Sequence, residues 1–125
     1  MTLKELAEAL VTHCRNGTEA EGLSTLYAEN CASVEPFSME PGQSRTTDGV
    51  EGIRGKHAWW AENFEVHSAT VDGPHLHGED RFAVVFSIDS THKASGQRSQ
   101  MSEVAVYHVD GGKIVREEFF YAPPG

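Results

Sequence analysis

Two glutamates, Glu103 and Glu117, stand in two alternating runs on either side of the turn Asp110-Gly111-Gly112. Successive side chains of a strand point to opposite faces. Met101, Glu103, Ala105, Tyr107 and Val109 therefore share one row, and Val115, Glu117, Phe119 and Tyr121 share another. Both carboxyl groups fall on rows that read as buried, and a buried carboxylate is costly unless it is paired, neutralised or used. A three-residue loop with Gly in the left-handed position would set Val109 opposite Lys113, Ala105 opposite Glu117 and Glu103 opposite Phe119. Glu103 and Glu117 would then be diagonal neighbours, about 7–8 Å apart at the backbone. Facing one apolar hollow, such a pair raises at least one pKa. An acid beside a carboxylate suits proton transfer next to a carbonyl or an epoxide. The competing reading is structural, with Glu103 hydrogen-bonded to a Tyr or Trp and organising the hollow. Tyr107 and Tyr121 can give phenol donors to a developing oxyanion, or line the hollow together with Phe119.

Other side chains can join this pair. His67 has the strand parity of Ala69 and Val71 and is expected to face the hollow, as base or orienter beside Glu103. Its alternative is an exposed histidine at a helix end. His57 falls on a helical apolar stripe and reads as a pocket-wall or core histidine. Trp60 lies on that stripe. Trp59 is offset from it and is placed at the pocket mouth, where its indole N–H can donate. His75 and His77 form His-x-His, but no third ligand at metal spacing accompanies them, so no metal is expected. Asp89 and Arg98 fall on the opposite sheet face and read as an ion pair. There is no Gly-x-Gly-x-x-Gly, Walker loop or Gly-x-Ser-x-Gly, and no cofactor is expected.

The elements that must position these residues are legible from caps and periodicity. Thr2 with Glu5 forms a capping box ahead of the stripe Leu3, Leu6, Ala7, Leu10, Val11, Cys14, which Asn16-Gly17 ends. Thr18 with Glu21 opens a short helix carrying Leu23, Leu26 and Tyr27, packed on the first as a hairpin. Cys31 to Glu35 reads as a strand, and Pro36 to Thr47, with Phe37 and Met39 as its large apolar members, as a loop long enough to be a lid. Asp48 with Glu51 opens a third helix with the stripe Val50, Ile53, His57, Trp60, Ala61, Phe64. Gly52 and Gly55 weaken it by about 1 kcal/mol each, so close packing is the expected compensation. Strands follow over Glu65 to His77, with a bulge at Gly73-Pro74, over Arg81 to His92, and through the C-terminal hairpin, and Pro123-Pro124-Gly125 reads as a tail. This is an α+β order, with helices preceding an antiparallel meander. The second sheet face carries Val85, Val104, Val106 and Phe120, so a second copy of the chain is expected to cover it as a homodimer.

Composition bounds the function. The 125 residues carry 19 acidic against 10 basic side chains, a formal net charge of -9, and favour one domain over residues 1–125. Nucleic acid and anionic membranes are disfavoured as partners by that charge. No apolar run reaches the ~20 residues of a membrane span, and the N-terminal residues lack the order of a signal peptide, so a cytoplasmic location is expected. Cys14 and Cys31 read as small core residues rather than a disulfide. The partner left is a small apolar or amphipathic molecule.

The order of elements resembles the NTF2-like superfamily and, within it, the SnoaL-like group. The resemblance is carried by the run from Leu23 to Glu35, by Gly52-Ile53-Arg54-Gly55 and by the ending from Tyr107 to Tyr121. It covers nearly the whole chain and implies a cone-shaped fold, with three N-terminal helices packed on a curved antiparallel sheet. Members include ketosteroid isomerases, polyketide cyclases, epoxide-hydrolase-like enzymes, dehydratases and proteins that catalyse nothing, so the fold does not set the chemistry. The isomerases' base position is Pro36 here, their helix tyrosine falls near Leu10, and their second acid aligns near Ala105, two residues after Glu103. The resemblance therefore implies a small-molecule-binding protein, as a cofactor-independent isomerase, cyclase or hydratase using Glu103 and His67, or as a non-catalytic binding or dimerisation module.

Overall fold

A computed structural model describes residues 1–38 and 41–122. Helices α1 (Leu3–Asn16) and α2 (Glu19–Leu26) lead into strand β1 (Tyr27–Val34). A short strand β2 (Thr46–Asp48) precedes helix α3 (Gly49–Asn63), and the chain ends in strands β3 (Phe64–His77), β4 (Arg81–His92), β5 (Arg98–Asp110) and β6 (Lys113–Phe120). Helix α1 has the expected capping box, Thr2 with Glu5, and ends at Gly17 in the left-handed conformation with φ 70°. The other two expected boxes do not form. Neither the Thr18 nor the Asp48 side chain caps its helix, and the Thr18 hydroxyl instead meets His13 Nδ1 at 2.7 Å. The expected loop ends in β2, which pairs with β1 through Val34–Thr46 and Ala32–Asp48. Met39 and the Pro123-Pro124-Gly125 tail lie outside the described residues.

The six strands form one sheet in the order β2-β1-β6-β5-β4-β3. It is mixed, not wholly antiparallel, because β1 runs parallel to β6. No hairpin joins those two strands, so nothing forces them to run in opposite directions. The third helix follows β1 rather than standing with the other two at the N-terminus. The bulge in β3 falls where Gly73-Pro74 predicted it, between Asp72 and His75. Gly52 has the close contact expected of it, since a Cβ there would meet Thr47 at 2.8 Å, whereas nothing crowds Gly55.

Helices and the inner sheet face enclose the core: Leu6, Leu10 and Val11 of α1, Leu23 and Leu26 of α2, Ile53 of α3, and Phe82, Val84, Ala105, Tyr107 and Ile114 of the sheet. Each large side chain so buried contributes about 1.5–3 kcal/mol. Burial is not uniform along the inner face. Phe82 and Tyr107 stack at 4.8 Å and are buried, as are Val84 and Ala105. The next two rungs, Phe86–Glu103 and Ile88–Met101, are only half-buried, and burial resumes at Ser90. Beyond it Trp60 stacks on Phe64 at 5.1 Å, and Phe64 packs on His92. The lapse between these two packed regions is where the inner face remains accessible.

Candidate functional site

The β5–β6 register differs from the expected one, and the difference shapes the site. Asp110 pairs with Lys113 and Val109 with Ile114, so the turn is the two residues Gly111-Gly112, both at positive φ. A bulge then leaves Val115 unpaired, and Tyr107 comes opposite Glu117 and Ala105 opposite Phe119. The bulge is why Ile114, rather than Val115, joins Glu117 in the interior. On its other side Glu117 pairs in register with Ser33 of β1.

Glu117 is 3 % exposed and fully engaged. Its Oε1 accepts from the Tyr27 hydroxyl, and its Oε2 accepts from Ser33 Oγ at 2.8 Å. Ser33 Oγ in turn accepts from Lys56 Nζ at 2.8 Å. The Lys56 ammonium also lies 3.5 Å from Glu35 Oε1 and 5.3 Å above the Phe119 ring. A continuous chain of polar contacts thus runs Tyr27–Glu117–Ser33–Lys56–Glu35 across β1, β6 and α3. Burial, then the nearby Glu117, pushes the Tyr27 phenol well above its ordinary value, which keeps it a donor.

Glu103 is different. It lies on the half-buried rung beside Phe86, and among the described residues its carboxyl meets no hydrogen-bond donor. Burial first, then the negative charges of Glu35 and Glu117, raise its pKa from 4.5 to about 7, with Lys56 opposing. Tyr121 faces the same ground. Burial, then Glu35 and Glu103, push its phenol upward, and its ring meets Phe37 edge-on at 5.4 Å. A hydrogen bond between the Tyr121 phenol and the Glu35 carboxyl group adds to that rise, and Glu35 Oε2 is buried.

The structure puts Glu103, Glu117, Tyr107, Tyr121 and Phe119 on one side of the sheet, but Glu103 and Glu117 are not the diagonal neighbours expected: Glu117 lies opposite Tyr107, four residues along β5 from Glu103. It does not bring His67 to them. A register shift in β3 leaves His67 between the pairs Val66–Ser90 and Ser68–Asp89. Its Nε2 meets Thr91 Oγ1 at 2.7 Å, on the outer face that also carries the Asp89–Arg98 pair. The expectation that His67 faces Glu103 is thus corrected: the bulge shifts the strand parity on which it rested. Trp59 is 46 % exposed and packs edge-on against Phe64 at 6.2 Å. His57 is exposed, although surrounding protein still lowers its pKa with Glu117 opposing. Its open surface makes it a rim residue rather than a pocket wall. His75 pairs with Asp72 at 3.3 Å in an exposed position, and the described residues hold no group of three or more metal-ligating side chains.

Ser33, Glu35, Lys56 and Tyr27 complete the site and were not singled out from sequence. Ser33 and Glu35 share the parity of buried Cys31. Lys56 and His57 stand three and four residues after Ile53, equally good helical positions, and the apolar stripe favoured the wrong one. A cleft of ≈ 490 Å³ opens elsewhere, lined by Ser68, Thr70, Ser87, Asp89, Gln100 and Ser102 and reaching Ile88 and Met101. The carboxylate it holds, Asp89, is already paired with Arg98.

Helices packed on one face of a six-stranded mixed sheet define an α+β cone. The SnoaL-like domain family matches residues 1–121, and the chain belongs to that family. It is similar to a protein of Mesorhizobium loti that carries the names SnoaL-like polyketide cyclase and, in brackets, carbohydrate phosphatase. Identity is 40%, covering 97% of this chain and 100% of that one, with a TM-score of 0.87. An NTF2-like protein of Burkholderia thailandensis shares the fold at 20% identity and a TM-score of 0.81, over 98% of this chain and 92% of that one. A Xanthomonas campestris protein with a cystatin-like fold does so at 19% identity and a TM-score of 0.75, over 98% and 92%. No curated protein matches the chain. Among the described residues no helix is long and apolar enough to cross a membrane.

Proposed function

We propose that this protein binds a small, largely apolar molecule over the half-buried rungs of the inner sheet face, and that Glu103 is the acid–base group that acts on it. The reaction class is cofactor-independent proton transfer beside a carbonyl or epoxide, as in an isomerase, cyclase or hydratase. One observation carries the reading: among the described residues Glu103 meets no hydrogen-bond donor, and burial holds its pKa at about 7, where a carboxyl group can both give and take a proton. His67 takes no part, and Glu117 is a strut whose oxygens are already occupied by Tyr27 and Ser33. That saturation supports the second reading, a binding module without turnover. We further propose a homodimer packed through Val85, Val104, Val106 and Phe120 of the outer face, of which Val104 is 37% and Phe120 51% exposed.

A thermal-shift screen of small carbonyl compounds and epoxides, repeated on Glu103→Gln, tests this. A compound that stabilises both proteins but is converted only by the wild type supports the acid–base role. Binding without conversion by the wild type selects the module. Conversion retained in Glu103→Gln refutes the assignment of Glu103.

A further inference from the structure

On the outer sheet face, away from Glu103, we propose a second binding site: the cleft over β3, β4 and β5 takes a neutral polyhydroxylated molecule, a sugar or cyclitol. Two rungs of the sheet build it. Ser68 pairs with Asp89 and Asp89 with Gln100, and on the other rung Thr70 pairs with Ser87 and Ser87 with Ser102. Strand alternation places these six side chains on one face. All six line the cleft of ≈ 490 Å³, a size within the range of about 300–1,000 Å³ usual for small-molecule sites. Ser87 and Asp89 of the central strand are half-buried and form its floor, while Ser68, Thr70, Gln100 and Ser102 are exposed and stand at its sides.

The charge in the cleft is already matched. Among the described residues that line it, Asp89 is the only charged one. Arg98 Nε donates to Asp89 Oδ1 at 3.0 Å and Nη2 donates to Oδ2 at 2.8 Å, and the Gln100 side chain adds a hydrogen bond. A cation therefore meets no free carboxylate there. An anion would have to displace Asp89 from Arg98, in a chain of net charge -9, and such two-pronged Arg–carboxylate pairs are strong.

What remains is hydroxyl and amide. Ser and Thr hydroxyls each donate one proton and also accept, and the Gln amide does both. Ser87 Oγ and Ser102 Oγ lie 3.1 Å apart, and whichever of them donates, its partner keeps a proton for a ligand. An apolar molecule would strand these groups away from water, and a ketone would supply acceptors alone. Alcohol hydroxyls supply both, and several on one ring can meet groups from three strands at once. The border of the cleft fits the same class. The next outward-facing rung is Val85–Val104, with Val104 37% exposed, so an apolar strip adjoins the hydroxyls just as the C–H face of a sugar ring adjoins its hydroxyl rim. The dimer contact proposed above begins at that strip, so the two surfaces divide the outer face between them.

Backbone amide NMR shifts, followed while the protein is titrated with maltose, myo-inositol, cyclohexanol, cyclohexylamine or cyclohexanecarboxylate, test this. At least one of the two polyols is expected to move the amides of Ser68, Thr70, Ser87, Gln100 and Ser102, saturating in the millimolar range and binding at least about tenfold tighter than the other three probes. Ser87→Val with Ser102→Val removes two hydroxyls and weakens polyol binding at least about tenfold. Thr70→Val keeps the side chain's shape, weakens binding at least about twofold, and decides the matter if the double variant does not fold. The absence of a saturable shift with either polyol overturns the proposal. So does cyclohexanol or a charged probe binding as tightly, polyol shifts centred on Phe86 and Glu103, or polyol affinity unchanged in the variants. Binding seen only in Val104→Asp with Phe120→Asp would show a second copy closing the cleft, and that result overturns it as well.

Discussion

Glu103→Gln is expected to change the pH dependence of folding stability in a direction opposite to that of most acidic-residue substitutions. The carboxyl group is raised from 4.5 to about 7 in the folded protein, chiefly by burial. A group with a raised folded pKa contributes stability that is fully present below the unfolded value and is lost as pH rises through the folded one. At about 1.4 kcal/mol per tenfold change in acidity, the rise disfavours the folded carboxylate by about 3 kcal/mol at alkaline pH. Of this, about 2 kcal/mol accumulates between about pH 5.5 and pH 8.5. Glutamine keeps the shape and cannot ionise. Urea unfolding of both proteins at the two pH values should therefore show the wild type losing about 2 kcal/mol more than the variant on going to the higher pH. Identical pH slopes would refute the argument that Glu103 is desolvated on the inner face, and with it the acid–base proposal.

Tyr27→Phe removes a donor from buried Glu117, and hydrogen bonds to charged groups contribute about 1.5–3 kcal/mol; urea unfolding near neutral pH should show a loss of that size. His67→Ala, on the exposed outer face beside Thr91, should alter stability by less than about 0.5 kcal/mol in urea unfolding. Val104→Asp with Phe120→Asp places charges on the outer sheet face. Analytical ultracentrifugation should then find a dimer for the wild type and a monomer for the double variant, and a wild-type monomer would refute the proposed pairing.

Where local rules act alone, the sequence reads well. The α1 stripe Leu6, Ala7, Leu10, Val11 is buried as its spacing predicts, and Glu103, Ala105 and Tyr107 share the inner face. Parity fails where a bulge intervenes. Val115 is displaced from the interior by the two-residue turn and the bulge after it, and His67 is moved out of its expected row by the shift between Val66 and Ser68. Bulges depend on how two strands meet, and no periodicity within one strand announces them. The partners of Glu117 were hidden for a related reason. Ser33 lies 84 residues away and Tyr27 90 residues away in sequence, and they arrive through a parallel β1–β6 pairing that no hairpin signal marks. Lys56 was obscured by a tie between adjacent helical positions, which only the position of β1 resolves.

That parallel pairing also bears on how the chain comes into being. Ser33 and Tyr27 leave the ribosome long before Glu117 is synthesised, and at ~5–20 residues per second the wait lasts several seconds. During it β1 has an open edge where β6 will later pair, and the Tyr27 and Ser33 hydroxyls lack the Glu117 carboxylate to which they will donate. Closure of the sheet and the hydrogen bonding of its buried acid Glu117 are thus a single late event. A ribosome stalled before β6 would hold a chain with its first helices made and no finished interior.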